Sequence, residues 1–368
     1  MKDNLESVLE GPRGRRLCLE LAMELDPDVR DAVFRLGYDL DPGKGKSRVM
    51  FGAGFDDTGP PPPSPSPEQL AAALASLNPA ALNDSLIQAA LGRSVDTARY
   101  WQAPDGEDVL AGLPVIRAAL LPLAAQVLDS PGTQWWAEPG RALQWAIDWR
   151  PSDDPAPLTK DPQQTLAAWG RNVRAEEARA SRERPRAADA NWSGSWWSIP
   201  HGLVHTVGQI PAGLSLVEDS QGWEHATVIT VRGAGRTLEI RTAEDWISLC
   251  RALPLEVTGS RRHDWFRATG RDGRWVIPDW ERGASEWDAV HLTVLGYLGS
   301  ATRALQVDAG TASVIAGWDP DSTIWLTDVA REGEGPRQAW HRAPHDNTWI
   351  RTPTHPVGAS WPIPDRNG

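Results

Sequence analysis

The chain has 368 residues, a formal charge of -12 and 40% hydrophobic residues. That length suits two compact domains, or one large domain with additions. The acidic balance excludes nonspecific nucleic-acid binding, which needs a basic face to displace counterions, and disfavours an anionic membrane surface. No run of about 18 apolar residues occurs, so no transmembrane helix is expected. The opening MKDNLESVLEGPRGRR lacks the apolar core of a secretory signal. Cys18 and Cys250 lie far apart and read as buried thiols rather than a disulfide framework, which makes a cytoplasmic location the expectation. Twenty Trp against 3 Tyr and 4 Phe is the compositional anomaly. Most of these Trp are expected to replace other aromatics in the core. A minority could form stacking faces for sugars, nucleobases or cations.

Residues 1–58 read as N-terminal helices. RGRRLCLELAMEL carries Leu17, Leu19, Leu21 and Leu25, and Pro27 opens a second helix with Val29, Val33 and Leu36 near one face. Residues 59–67 are a Pro-rich linker, a spacer by composition. The GAGFDDTG segment before it is a turn without the Lys that a phosphate loop needs.

Residues 68–189 read as a helical domain. PEQLAAALASL, the run with Leu82, Leu86, Ala89, Ala90 and Val95, and PVIRAALLPLAAQVLDS all have helical spacing. RALQWAIDW sets Leu143 and Ile147, and Trp145 and Trp149, four apart, which predicts another helix. The Pro- and Asp-rich stretch after Arg150 is a loop. Gln163 to Arg184 then forms a polar helix of the kind that bridges other elements or lies on the surface.

Residues 190–329 change to strand patterning, with SWWSIP, LSLVED, ATVITVR, RTLEIR, DAVHLTVLGYL, ASVIAGW and IWLTDV as short β runs. Thr242 and Asp245 have capping-box spacing for one helix. Residues 330–368 read as an irregular tail. The fold class is therefore α+β, a helical N-terminal domain followed by a mostly antiparallel β-rich domain.

The densest set of functional side chains lies between Val257 and His291. From Arg261 to Arg282, six Arg stand against Asp264, Asp272, Asp279 and Glu281. A local cationic stretch in an acidic protein suits capture of phosphate or carboxylate, because Arg offers a planar donor fork. The competing reading is a solvated loop whose Arg pair with their own acids. Arg261 and Arg262 are the candidate anion ligands, and Trp265, Trp275 and Trp197 the candidate stacking groups. His263 beside Asp264, His205, and Asp288 near His291 are the candidate catalytic residues. Adjacent residues on a strand face opposite ways, so a His263–Asp264 pair requires a turn or helix. His201 and His205 have the spacing of zinc ligands on a helix, but Pro200 and Gly202 break that helix, and no metal is assigned. Asp319 and Asp321 form a D-x-D, which occurs in diphosphate-metal sites and, more commonly, in turns.

SWWSIP, LSLVED, SRRHDWFRATGRDGRWVIPDW, WDAVHLTV and AGWDPDSTIWL together resemble a family of uncharacterised Trp-rich actinobacterial proteins over about 190–329, a resemblance that brings no established activity. The chain also has a fainter likeness to ADP-ribosyltransferase folds. That likeness implies NAD as a substrate, with His205 and Tyr297 filling the first two places of the nicotinamide pocket.

The leading expectation is an enzyme of transferase or glycosidic-bond hydrolase type. Its ligand is an anionic small molecule, a phosphorylated sugar or nucleotide, with NAD in range and the cofactor otherwise unassigned. One alternative is a non-catalytic protein that docks a protein partner through its helical N-terminal domain. Another is a carbohydrate- or nucleotide-binding module without chemistry.

Overall fold

The computed structural model describes residues 2–45, 64–151, 153–159, 161–343 and 348–353. Most of the Pro-rich linker and the end of the tail lie outside the described residues, as does GAGFDDTG. The N-terminal elements are α1 (Lys2–Glu10), α2 (Pro12–Leu25), α3 (Pro27–Leu40), α4 (Pro67–Ser76), α5 (Asp84–Asp96), α6 (Gly106–Gly112), α7 (Pro114–Ala119) and α8 (Leu121–Asp129). Local chemistry sets their starts. Proline occupies the first turn of α2, α3, α4, α7 and α8, where its missing N–H costs nothing. Asp26 accepts from the amides of Asp28 and Val29, and Ser66 with Gln69 makes a complete capping box. The run expected as one helix from Pro114 onward is two, because Pro122 opens a new first turn after Leu120.

There follow β1 (Leu143–Asp148), α9 (Pro162–Glu183), β2 (Val204–Val207), β3 (His225–Gly233), β4 (Thr237–Ile240), α10 (Ala243–Ala252), β5 (Pro254–Glu256), α11 (Thr258–Thr269), β6 (Arg274–Pro278) and α12 (Trp280–Gly283). After them come β7 (Ala289–Leu292), α13 (Val294–Ser300), β8 (Leu305–Gln306), β9 (Thr311–Ser313), β10 (Ser322–Trp325), β11 (Ala330–Glu332), β12 (Gln338–Arg342) and β13 (Trp349–Arg351). The main sheet runs β13-β12-β3-β1-β2-β10-β7-β4, with β11 also on β3. Every pairing in it is antiparallel except β4 with β7. A smaller sheet runs β5-β6-β9-β8. The fold is α+β, with helices before and antiparallel-rich sheets after.

Several local expectations are corrected. RALQWAIDW is not a helix but β1, paired along its length with β3. Gln144 and Ala146 are buried while their neighbours are less so. Side chains four apart share a face in a strand as well as in a helix, so the Leu143–Ile147 spacing did not discriminate. The cationic stretch after Val257 is not a loop. Its first part is α11, ended by Gly270 at φ 71. SWWSIP and LSLVED form no strand; side chains bond the carbonyls of Trp196, Trp197 and Ser198 and the amide of Glu218. DAVHLTVLGYL splits into β7 and α13 where Thr293 caps the Gly296 amide at 3.0 Å. Within the stretch read as an irregular tail, β11 and β12 add to β3, and β13 to β12. Edge addition needs only backbone donors and acceptors, which leave no periodic trace.

The helical and sheet-bearing parts share a core. One apolar cluster joins Leu17, Leu21 and Leu91 to Ile240, Trp246 and Leu292. Arg13 of α2 reinforces the seam. Its buried guanidinium donates to the Ser94 carbonyl (2.8 Å) and to the hydroxyls of Thr97 (2.8 Å) and Thr302 (3.2 Å), and it pairs with Asp108. Cys18 and Cys250 are both free and buried.

Candidate functional site

The polar helix α9 is polar because it braces other elements. Glu177 accepts from the amides of Gly259 (2.7 Å) and Ser260 (2.8 Å), so its carboxylate sits on the exposed donors at the start of α11. Arg174 binds Asp279 (2.7 Å) and Glu281 (3.1 Å) around α12. Facing α9 is the segment 195–201, which has no strand partner among the described residues. Side chains of α11 and α12 satisfy three successive carbonyls in it. The Trp265 indole N–H donates to Trp196 O (2.9 Å), Arg261 Nε to Trp197 O (3.2 Å), and the Trp280 indole N–H to Ser198 O (2.9 Å). The buried Trp of this region thus serve as donors to a backbone that no sheet could satisfy.

Between α9, this segment and α11 lies a cleft of about 600 Å³. Trp169 and Trp197 supply its aromatic walls, and Arg171, Asn172, His201 and Arg261 are among its polar groups. Trp197 is stacked on Trp196 (centroids 4.2 Å apart), which stacks in turn on Tyr100 (5.4 Å). His201 meets the Trp197 ring edge-on at 4.7 Å. Arg261 is 3% exposed and also reaches Glu176 at 3.4 Å. Burial alone would raise the Glu176 carboxyl, but Arg261, Ser195 and Arg184 hold it below its ordinary value. Partial desolvation, then the Arg261 charge, holds the exposed His201 below the usual imidazole value, which favours its neutral form. Its ring nitrogens make no hydrogen bond, and Arg171 and Asn172 make neither ion pair nor side-chain hydrogen bond among the described residues. The cleft therefore presents a guanidinium, an amide and an unprotonated imidazole, all uncommitted, beside aromatic surface.

The candidates from the sequence are distributed as follows. Arg261 and Trp197 line this cleft. Arg262 instead bonds the carbonyls of Thr258 (3.3 Å) and Arg186 (2.9 Å). His263 contacts Pro185 O at 3.1 Å, while its neighbour Asp264 turns to Ser193 Oγ, the Gly194 amide and Arg267. Although α11 is a helix, the two do not pair. Trp265 and Trp275 meet edge to face at 5.3 Å in a buried cluster, and neither is in the cleft. His205 lines a different cavity. Asp288 anchors a turn by accepting from the Arg236 amide (2.8 Å) and Thr327 (2.9 Å), contacts that lower its pKa. Tyr297 is buried and donates to Glu218 at 2.8 Å.

Two further polar arrangements went unread in the sequence. Tyr100 and Tyr297 both donate to Glu218 Oε1, and the Glu218 amide donates to Asp319 at 2.9 Å. Burial, then the Asp319 charge, pushes Glu218 up to about 8. On the main sheet, His291 Nδ1 lies 2.7 Å from Glu239 and its Nε2 3.5 Å from Asp321. Burial opposes the charged imidazole, but the two carboxylates outweigh it and raise the His291 pKa. Asp321 is the second acid of the D-x-D and sits at φ 56. That motif supplies a turn and a His partner. The residues Arg171, Asn172 and Glu176 left one trace in the sequence, a helix more polar than a covered helix should be. Another cavity, of about 510 Å³, lies against α2 and α6. Its Arg13, Arg15 and Arg99 are already bonded to main-chain carbonyls or carboxylates.

Among the described residues, no helix is long and apolar enough to cross a membrane. Comparison of the chain with protein-family models, with curated proteins and with solved structures finds no match.

Proposed function

We propose that the α9 cleft binds an anionic, ring-bearing small molecule of nucleotide or sugar-phosphate class, and that the protein is an enzyme acting at the glycosidic carbon of that ligand. NAD falls within this class. The observation that carries the reading is the convergence of uncommitted Arg171, Asn172 and His201 on one aromatic-walled cleft. Its volume, about 600 Å³, lies within the range of small-molecule sites. Arg171 and Asn172 hold the anion, Trp169 or Trp197 packs the ring, and neutral His201 accepts a proton from the attacking water or hydroxyl. Arg261 positions the wall, since its Nε and Nη1 donors are committed to Trp197 O and Glu176.

The test is titration calorimetry with NAD, nucleotide sugars and sugar phosphates, followed by turnover assays on whichever binds. Arg171→Ala is expected to weaken binding about tenfold or more. His201→Gln is expected to retain binding and to lower turnover about 10²-fold or more. A folded protein that binds nothing in this panel, or binding that Arg171→Ala leaves unchanged, overturns the reading.

A further inference from the structure

A second cavity, of about 200 Å³, sits beside β1 and β2 and shares no lining residue with the α9 cleft. Trp145, Trp149, Val207, Val217 and His205 form much of its wall, and Asp319 supplies its carboxylate. We propose that this cavity is a binding site for a small organic cation, a tertiary or quaternary ammonium group held by Asp319 against the two indoles.

Charge decides the sign of the ligand. Asp319 Oδ1 accepts from the Glu218 amide at 2.9 Å, and the residue has no Arg, Lys or His ion-pair partner among the described residues. Burial pushes its carboxyl up to about 6, so at neutral pH it is ionised and uncompensated. Burial pushes His205 down to about 4, so the imidazole adds no positive charge. A carboxylate without a counter-cation, walled by indole, attracts a cation both directly and through the ring quadrupoles.

Size and wall chemistry decide the class. The cavity holds roughly seven water-sized volumes of about 30 Å³. That is too small for a nucleotide and suits a methylated ammonium head. Asp319 and His205 fall short of the four ligands that zinc takes and of the six or more oxygens that magnesium or calcium takes, and among the described residues no third His, Cys, Asp or Glu joins them. Thr206 and Ser322 also line the cavity, but Thr206 Oγ1 is held between Gln144 and the Trp325 indole and Ser322 Oγ donates to the Asp319 carbonyl, so an ammonium rich in N–H would forfeit water contacts that few acceptors besides Asp319 return, whereas a methylated one forfeits few.

Titration calorimetry of the full chain with choline and tetramethylammonium chlorides, against sodium chloride at equal ionic strength, tests this. Saturable binding is expected for both ammonium ions. The uncharged isostere 3,3-dimethylbutan-1-ol is expected to bind at least about tenfold more weakly. Asp319→Asn retains an acceptor for the Glu218 amide and is expected to lower choline affinity by about tenfold or more, with its melting temperature confirming the fold. No saturable binding by the wild type, equal binding of the neutral isostere, or unchanged affinity in folded Asp319→Asn overturns the proposal. The neutral-isostere arm uses wild-type protein, so it holds even where the variant does not fold.

Discussion

Glu218 shows how an acid is kept in a core without a cation. Both tyrosine hydroxyls donate to its Oε1, and Oε2 is enclosed without a hydrogen-bond partner among the described residues. A carboxyl at about 8 retains its proton in the folded chain at pH values where the unfolded chain has released it. Stability from this group is therefore present at low pH and declines as pH rises from about 4.5 through 8. Asp319 acts in the same direction over a lower window ending near 6. Glu218→Gln keeps an acceptor for both hydroxyls and removes the proton. We expect the wild type to lose about 1 kcal/mol more than the variant between pH 7 and 8 in urea denaturation. Equal slopes for the two proteins would show that Glu218 is ionised in the fold. His291 contributes with the same sign. Its folded pKa is raised, so its stabilisation is complete below the unfolded imidazole pKa and is lost as pH climbs through the folded one.

Between secondary-structure elements, the segment 195–201 is the unusual construction. It borders the cleft yet has no ladder, and donors from α11 and α12 replace one. Its placement also depends on Gly317, at φ 74, where a Cβ would fall 2.3 Å from Trp197 Cδ1. Gly317→Ala combines a left-handed backbone strain with a clash against an indole that Trp196 already backs. The expected cost is about 2 kcal/mol or more, measured by thermal or denaturant unfolding. Ligand binding in the α9 cleft is expected to fall with it. A neutral result would mean that Trp197 is free to move, and the wall would not be preorganised. The hydrophobic pattern could not announce this segment, since it follows neither the 2.0 nor the 3.6 period.

Across the chain as a whole, the two halves are joined by apolar packing and by Arg13. Removing one partner from a buried ion pair leaves the other charged and unpaired. Arg13→Met leaves Asp108 only its 3.5 Å contact with Arg16 and removes the bonds to Ser94, Thr97 and Thr302, at an expected cost of about 3 kcal/mol in denaturant unfolding. Because Leu17, Leu21 and Leu91 share a core with Ile240, Trp246 and Leu292, calorimetry is expected to show one cooperative transition in the wild type. Two separated transitions would show that the halves fold as independent units.

What the amino-acid order determined by itself was local. Proline and Asp or Ser before apolar runs set the helix starts, the Thr242–Asp245 box was legible outright, and the α+β class followed from the change of period along the chain. These are short-range effects, decided within one or two turns of chain. Leu143–Asp148 was misread because a helix and a strand place the same residues together at a spacing of four. The site was half legible. Arg261 and Trp197 were marked by residue type, but His201 meets the adjacent Arg171 and Asn172 only through the packing of α9 against the 195–201 segment. His205 and Asp319 likewise meet at one cavity from positions more than a hundred residues apart. Only tertiary structure decided which of the six Arg from Arg261 to Arg282 were consumed by carbonyls and carboxylates. A guanidinium's availability depends on partners distant in sequence, and no local pattern records them.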